Sequence, residues 1–410
     1  KINLVPTATK IIYKIHNNIY IKFTIFQYTI YIFDILEHMF YYLFVYQLIK
    51  GNIMSNIKVT IVGVGGAGCN TISRLKSKKF TKYNMLAVNT DTQMLETVKS
   101  SGVFAIGPIL TNGFGSGGNP RIGREAAKES LDQLSTILEG QDLVILTTGL
   151  GGGTGTGATP VIASLAKKLG ALVIVVATQP FGFEGNLRKQ YSDRAVKSIL
   201  RASDSFIEIN NDGLLSMNND DKSLDESFKQ ADIALINIVE EITSVIADSG
   251  LINIDFADVK NMLTKSGKTF ISKSKIDKNQ KMDDICLDLK RNLLINYSFK
   301  SAKKVLLSIK SSSNFSLNEL NLIATKISSF LDQPQNILIG VNNTYHKKNI
   351  IEATLIASDL KFTFDEIETP PKSFVFTENN DETYHSKNES VKISPLLNFK
   401  KLIKLPIGFN

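Results

Sequence analysis

Between residues 57 and 209 the chain alternates two hydrophobic patterns. Short runs rich in Val, Ile and Leu at 57–62, 142–148, 171–178 and 205–209 have the length and composition of strands. Between them, apolar residues recur every three to four positions, as in Ala127, Leu131, Leu134 and Leu138 of the helix predicted over 121–139, which Gly140 ends. A second helix, opened by Pro160, is predicted over 160–169. This alternation predicts a parallel α/β sheet with ligands bound beyond the carboxyl ends of the strands. The longest periodic stretch runs from about Leu224 to Asp248, with Leu235, Ile238, Val239, Ile242, Val245 and Ile246 along one face and Gly250 behind it. At 1.5 Å per residue such a helix spans about 35 Å. Beyond it, 260–300 is rich in Lys and Asp and reads as helical in parts. Residues 304–309, 337–341 and 349–357 read as strands around a helix at 316–331, a smaller α+β domain.

Three glycine-rich loops interrupt the first half. Gly149 to Gly157 holds six glycines in nine residues, with two threonines, between a strand and a helix. So many glycines imply backbone brought close to a ligand, and the helix start beyond offers unpaired N–H groups to an anion. No Lys or Arg lies between Gly140 and Lys167, so the anion is held by neutral donors, with a metal ion supplying countercharge. A flexible linker is the alternative, but linkers do not alternate Gly and Thr between a strand and a helix. Gly63-Val-Gly65-Gly66-Ala67-Gly68 fits the dinucleotide fingerprint, for which Asp91 is the candidate acidic reader. The third loop, Gly113 to Pro120, precedes the helix at 121–139. Phosphate-type loops on successive strands point to one nucleotide whose polyphosphate is cradled from two sides.

Further along, Glu184 and Arg188 stand four apart, either a helical surface pair or a ligand contact. Asn210-Asn211-Asp212 reads as an exposed polar turn suited to binding. The loop after the long helix carries Asn253, Asp255 and Asp258, either a group handling water or a cation, or an Asx-rich helix cap.

Composition narrows the field. A length of 410 residues allows two or three domains, and 43% apolar residues supply a large core. Two cysteines, Cys69 and Cys286, rule out a disulfide framework and fit a reducing compartment. The four histidines, His16, His38, His346 and His385, leave the centre of the chain without one, which excludes histidine catalysis or a histidine-ligated metal there. The net charge of +8 is spread thinly, so nucleic acid is not expected as a partner. Residues 1–53 differ from the rest: they are crowded with Ile, Tyr and Phe, and Asp34 and Glu37 split their apolar runs below transmembrane length. Met54 begins a well-formed start, so 1–53 is expected to be a non-native upstream segment, with a membrane or targeting leader as the alternative. Residues 361–410 are expected to be a disordered linker ending in a basic, apolar tail with four lysines and no acid in its last nineteen residues.

Gly-Gly-Gly-Thr-Gly-Thr-Gly at 151–157, together with the other stretches in this order, resembles the tubulin/FtsZ family in its FtsZ form, strongly from Ile57 to Val259 and more faintly to about residue 360. The resemblance implies a GTPase that binds GTP or GDP with Mg²⁺. It implies a GTP-binding domain over 54–223 built on a Rossmann-like sheet, a central helix over 224–249, and a catalytic loop with an α+β domain over 250–360. Carried across, it assigns Gly66, Ala67, Gly68, Cys69 and Asn70 to the phosphates and sugar, and Ser116 and Gly117 to the γ-phosphate. Gly153, Thr154 and Gly155 become the main cradle, and Glu184 and Arg188 the ribose and nucleotide contacts. Asn211 and Asp232 read guanine, and Phe228 stacks on it. Asn253, Asp255 and Asp258 form a catalytic loop that acts on the GTP of the next subunit. The implied partner is the protein itself, in head-to-tail protofilaments of the cytokinetic ring. That ring lies in the cytoplasm at the division site on the inner face of the membrane, with division proteins or a membrane tether meeting the tail.

Two stretches depart from the family pattern. Residues 265–275 lack most of the small residues usual there, and their Ser-Gly-Lys-Thr is no Walker loop, since Met262 stands where a glycine is required. The Leu405-Pro-Ile-Gly-Phe409 tail only partly follows the family's Ile-Pro-x-Phe peptide. Against the GTPase stand an NAD(P)-dependent oxidoreductase, resting on residues 63–68 alone, and a scaffold homologue that binds GTP but turns it over poorly.

Overall fold

Strand β1 (Val59–Val64) sets the pattern for the first sheet, because its side chains alternate between two separate cores. Val59 and Ile61 face one core, Val62 and Val64 the other; β4 (Leu143–Gly149) and β5 (Leu172–Thr178) divide in the same way. Strands buried on both faces are the signature of a parallel sheet covered by helices. The computed structural model describes residues 57–75, 80, 82–98, 102–216, 223–247, 251–277, 282–290, 299–312, 315–332, 336–343 and 350–360. The expectations for 1–53 and for the linker and tail from 361 lie outside these residues.

The remaining strands of the first sheet are β2 (Asn84–Asn89), β3 (Gly102–Ala105), β6 (Ser205–Ile209) and β7 (Gly267–Lys268). All seven run parallel in the order β3-β2-β1-β4-β5-β6-β7. The order reverses between β1 and β4, so the crevice at their carboxyl ends is the place where such a sheet takes a ligand.

One face is covered by α4 (Pro120–Glu129), α5 (Leu131–Leu138), α6 (Thr154–Lys168) and α7 (Asn186–Ala202), through Ala126, Leu134, Ile162 and Ile199. The other is covered by α1 (Gly65–Arg74) and α9 (Leu224–Ala247). Between these lie the short helices α2 (Thr92–Thr97), α3 (Pro108–Thr111) and α8 (Asn211–Ser216). After α9 come α10 (Phe256–Leu263), α11 (Met282–Lys290) and α12 (Leu317–Ser329). The second sheet holds β8 (Phe270–Asp277), β9 (Lys304–Lys310), β10 (Asn336–Asn342) and β11 (Ile350–Ser358) in the order β10-β9-β11-β8. Of its pairs, β10 and β9 are parallel and the others antiparallel.

The long helix joins the two halves. Leu235, Val239 and Ile242 belong to the same core as Ile61, Ile145, Leu307 and Leu355. Its outward side meets the second sheet through polar groups: Lys273 pairs with Glu241 at 2.6 Å, and the Thr354 hydroxyl donates to Glu241 at 2.7 Å.

The structure amends the sequence expectations in five places. The helix predicted to open at Pro160 begins at Thr154, so the second half of the glycine loop is its first turn. The helix at 121–139 breaks at Ser130, whose hydroxyl accepts the Gly107 N–H at 3.0 Å. Residues 270–277, read within a partly helical segment, form β8. Asp91 caps α2 by accepting the Met94 N–H at 3.2 Å and is no cofactor reader. Asn211 is buried at the start of α8, not in an exposed turn.

Candidate functional site

The crevice at the β1–β4 switch is a cleft of about 260 Å³, well beyond the water-sized gaps of ordinary packing. Two helices start at it. Helix α1 follows β1 and presents Gly66 and Ala67; α6 follows β4 and presents Gly153, Thr154 and Gly155. Neither start has a side-chain cap. Asp91, Asn119, Asp255 and Ser316 cap the starts of α2, α4, α10 and α12, while α3, α5 and α7 start without a side-chain cap as well; what sets α1 and α6 apart is that both open onto the cleft. First-turn residues of both α1 and α6 thus line one cleft, and two helix starts at one place suit a polyphosphate.

Why the loop needs glycine follows from packing. A Cβ at Gly153 would come within 2.2 Å of the Ser116 Oγ, and one at Gly155 within 2.4 Å of the Thr148 Oγ1. Gly65, at φ +72°, brings α1 so near α6 that a Cβ there would sit 2.8 Å from the Gly155 amide. The loop is wedged between its neighbours at these positions, while Gly66 and Gly152 have open space where a Cβ would stand. The two threonines differ in duty. The Thr156 hydroxyl accepts the Gly151 N–H at 2.9 Å, a structural bond. That of Thr154 meets Thr90 at 2.6 Å and Ser116 at 3.1 Å at the cleft wall.

At the other end, Asn211, Phe228 and Asp232 line the cleft, as do Glu184 and Arg188, which form an ion pair with each other. The Glu184 carboxylate also accepts the Phe181 N–H at 2.9 Å. The Asn211 Oδ1 is buried without a hydrogen-bond partner among the described residues, so a donor from a ligand is the natural complement. Phe228 stands edge-on to Phe181 and Phe183, an aromatic wall for a planar base. Asp232 is buried and pairs with Arg74 at 3.2 Å. Burial pushes its carboxyl up to about 6, with the guanidinium pulling the other way.

Four expected contacts stand outside the lining: Gly68, Cys69, Asn70 and Gly117. Gly68 is pressed against the Thr147 carbonyl, where a Cβ would stand 2.4 Å from the oxygen. The Cys69 thiol is buried toward the Val88 carbonyl at 3.7 Å and pushed up to about 12 by burial, so that side chain faces the core. Conversely, Thr178, Gln179 and Pro180 at the end of β5 line the cleft without having been expected there. The rule placing ligands at strand ends was the signal for them.

The acidic loop lies elsewhere. Asp255 caps α10, accepting the Asp258 N–H at 2.7 Å, and both side chains are exposed, as is Asn253. Ile252 bridges to Val341 of β10, fixing the loop to the second sheet. None of the three lines the cleft. Along α9, the rise from Asp232 to Ala247 is about 22 Å.

Fold and cleft together define an α/β protein of the nucleotide-binding class. Residues 58–219 match the Tubulin/FtsZ family GTPase domain, and residues 269–361 match the FtsZ family C-terminal domain. Similar proteins include cell division protein FtsZ of Pseudomonas aeruginosa, 33% identical over 75% of this chain and 79% of its own. Cell division protein FtsZ 1 of Pyrococcus abyssi is 38% identical over 77% of this chain and 85% of its own. A solved FtsZ dimer of M. jannaschii superposes with a TM-score of 0.69 at 34% identity, covering 76% of this chain and 91% of the other. The chain belongs to the Tubulin/FtsZ family, as a cell division protein of the FtsZ type. Among the described residues, no helix is long and apolar enough to cross a membrane.

Proposed function

We propose that this protein binds GTP in the cleft and assembles head to tail into protofilaments of the cytokinetic ring, hydrolysing GTP where one subunit meets the next. The observation that carries this reading is the separation of the two halves of the chemistry. The amide cradle lies at one end of α9 and Asn253, Asp255 and Asp258 beyond the other, a division that head-to-tail stacking resolves and a lone subunit does not.

Within the cleft, the amides of α1 and α6 bind the phosphates, each such bond to a charged oxygen contributing about 1.5–3 kcal/mol. Ser116 and Gly117 approach the γ-phosphate, and Gly68, Cys69 and Asn70 contribute through the backbone of α1. Glu184 and Arg188 hold the ribose side, Phe228 stacks on the base, and Asn211 and Asp232 read its edge. Among the described residues no three His, Cys, Asp or Glu side chains cluster as a metal site. Mg²⁺ bound together with the nucleotide, beside the Ser116 and Thr154 hydroxyls of the cleft wall, would supply the countercharge the loop lacks. Asp255 and Asp258, arriving from the neighbouring subunit, orient the attacking water, since phosphoanhydride hydrolysis is chiefly positioning and charge stabilisation. The working division of the chain is a GTP-binding domain over 54–223, a central helix over 224–249 and a second domain over 250–360. The segment 361–410 links the ring to division proteins or a membrane tether on the cytoplasmic face.

GTP turnover measured against protein concentration, with sedimentation in parallel, tests the reading. Turnover per subunit should rise steeply as pelletable polymer appears. Constant turnover per subunit at all concentrations, or no GTP-dependent pelleting, overturns it.

A further inference from the structure

We infer that Arg74, at the last turn of α1, is a positioning residue for base selection: from behind the cleft it keeps the Asp232 carboxylate ionised and aimed at the base. This rests on the nucleotide reading above and adds a residue to it. Arg74 does not line the cleft, whereas Asp232 does. The Asp232 side chain is 10% exposed and its guanidinium partner 38%. The Asp232 Oδ2 pairs at 3.2 Å with a guanidinium outside the lining, while Asp232 itself borders the ligand space.

The chemistry needs that arrangement. An ionised carboxylate only accepts hydrogen bonds, matching the N1–H and the exocyclic amine of guanine. Once protonated it presents a donor and loses that match. Burial favours the protonated form, and a neighbouring cation opposes it. Few other charges reach the group. The elements packed on α9 near the cleft are α1, α8 and β5. Arg74 is the sole charged residue of α1, and β5 carries none. Asp212 of α8 accepts the Gly182 N–H at 2.9 Å. On α9 itself, Asp225 pairs with Lys229 and Glu226 accepts from Ser223; across the cleft Glu184 pairs with Arg188. Arg74 is thus the cation that answers Asp232. The same ten-residue helix offers amides to the phosphates at one end and secures the base reader at the other.

The test is calorimetric titration of the full chain with GDP and with IDP, whose base lacks the exocyclic amine, between pH 5.5 and 8. Wild type, R74M and R74K are compared. R74M should weaken GDP about tenfold to a hundredfold at pH 7 and weaken IDP less. It should also shift the pH dependence of GDP binding upward, and R74K should recover most of the wild-type profile. An R74M protein with wild-type GDP affinity and pH profile overturns the inference. So does one that loses GDP and IDP equally with its pH midpoint unmoved, which would mark a structural role. A wild-type chain that binds no GDP overturns the nucleotide reading itself, and this inference with it.

Discussion

At the scale of single residues, Asp232 couples stability and binding with opposite signs. Its carboxyl is raised by burial to about 6, above the ordinary value for an unfolded chain, so the folded state binds that proton more tightly. Its contribution to stability is fully present below about pH 4 and is lost as pH rises through about 6. Recognition of guanine, by contrast, needs the ionised form. GDP affinity should therefore increase from pH 5 to pH 7, approaching tenfold per pH unit on the acid side of the midpoint, and Asp232→Asn should flatten that profile. Titration calorimetry across the range decides it, and a flat wild-type profile would separate Asp232 from base binding. Neighbouring glycines act by exclusion: the 2.2 Å approach of a Cβ at Gly153 to the Ser116 Oγ leaves no room for alanine without displacing the cradle.

At the scale of elements, α9 was the most legible part of the chain, because its apolar stripe is long enough to leave no rival interpretation. Leu235 is fully buried in a core shared by both sheets. Leu235→Ala should cost about 2–5 kcal/mol and lower the whole thermal transition as one step; a split into two transitions would show that the halves unfold independently. The start of α6 was hidden because glycine and threonine have poor helix propensity. The ligand-facing turn is helical in spite of its composition, and Pro160 marked only the point where ordinary residues resume. Strand β8 was masked by Lys273, Lys275 and Asp277 on its exposed face, while Phe270, Ile271 and Ile276 are buried. Read at period two it is a half-buried strand, although its charges also fit the solvent face of a helix. Of the cleft's lining, the glycine loops, Glu184, Arg188 and Asn211 stand out by pattern, whereas Phe228 and Asp232 enter only through the family resemblance. Arg74 does neither, since nothing in the sequence tells that the end of α1 reaches α9.

For the whole molecule, the division of labour between two faces has a distinctive signature. Gly153→Ala should disable a subunit's own cradle but spare its acidic loop, and Asp255→Ala should do the reverse. Each alone should be inactive. Mixed equally, about a quarter of random interfaces unite an intact cradle with an intact loop, so turnover should reappear in the mixture; none would mean that both parts must come from one chain. The bare starts of α1 and α6 carry a last consequence. A helix start without a side-chain cap leaves its first amides to some other partner, and on the proposed reading the nucleotide is that partner for both helices. A ligand at a hundred times its dissociation constant adds about 2.7 kcal/mol to stability, comparable to a buried leucine. The fold would then be partly built from a metabolite, and its lifetime would follow the supply of guanine nucleotide around it.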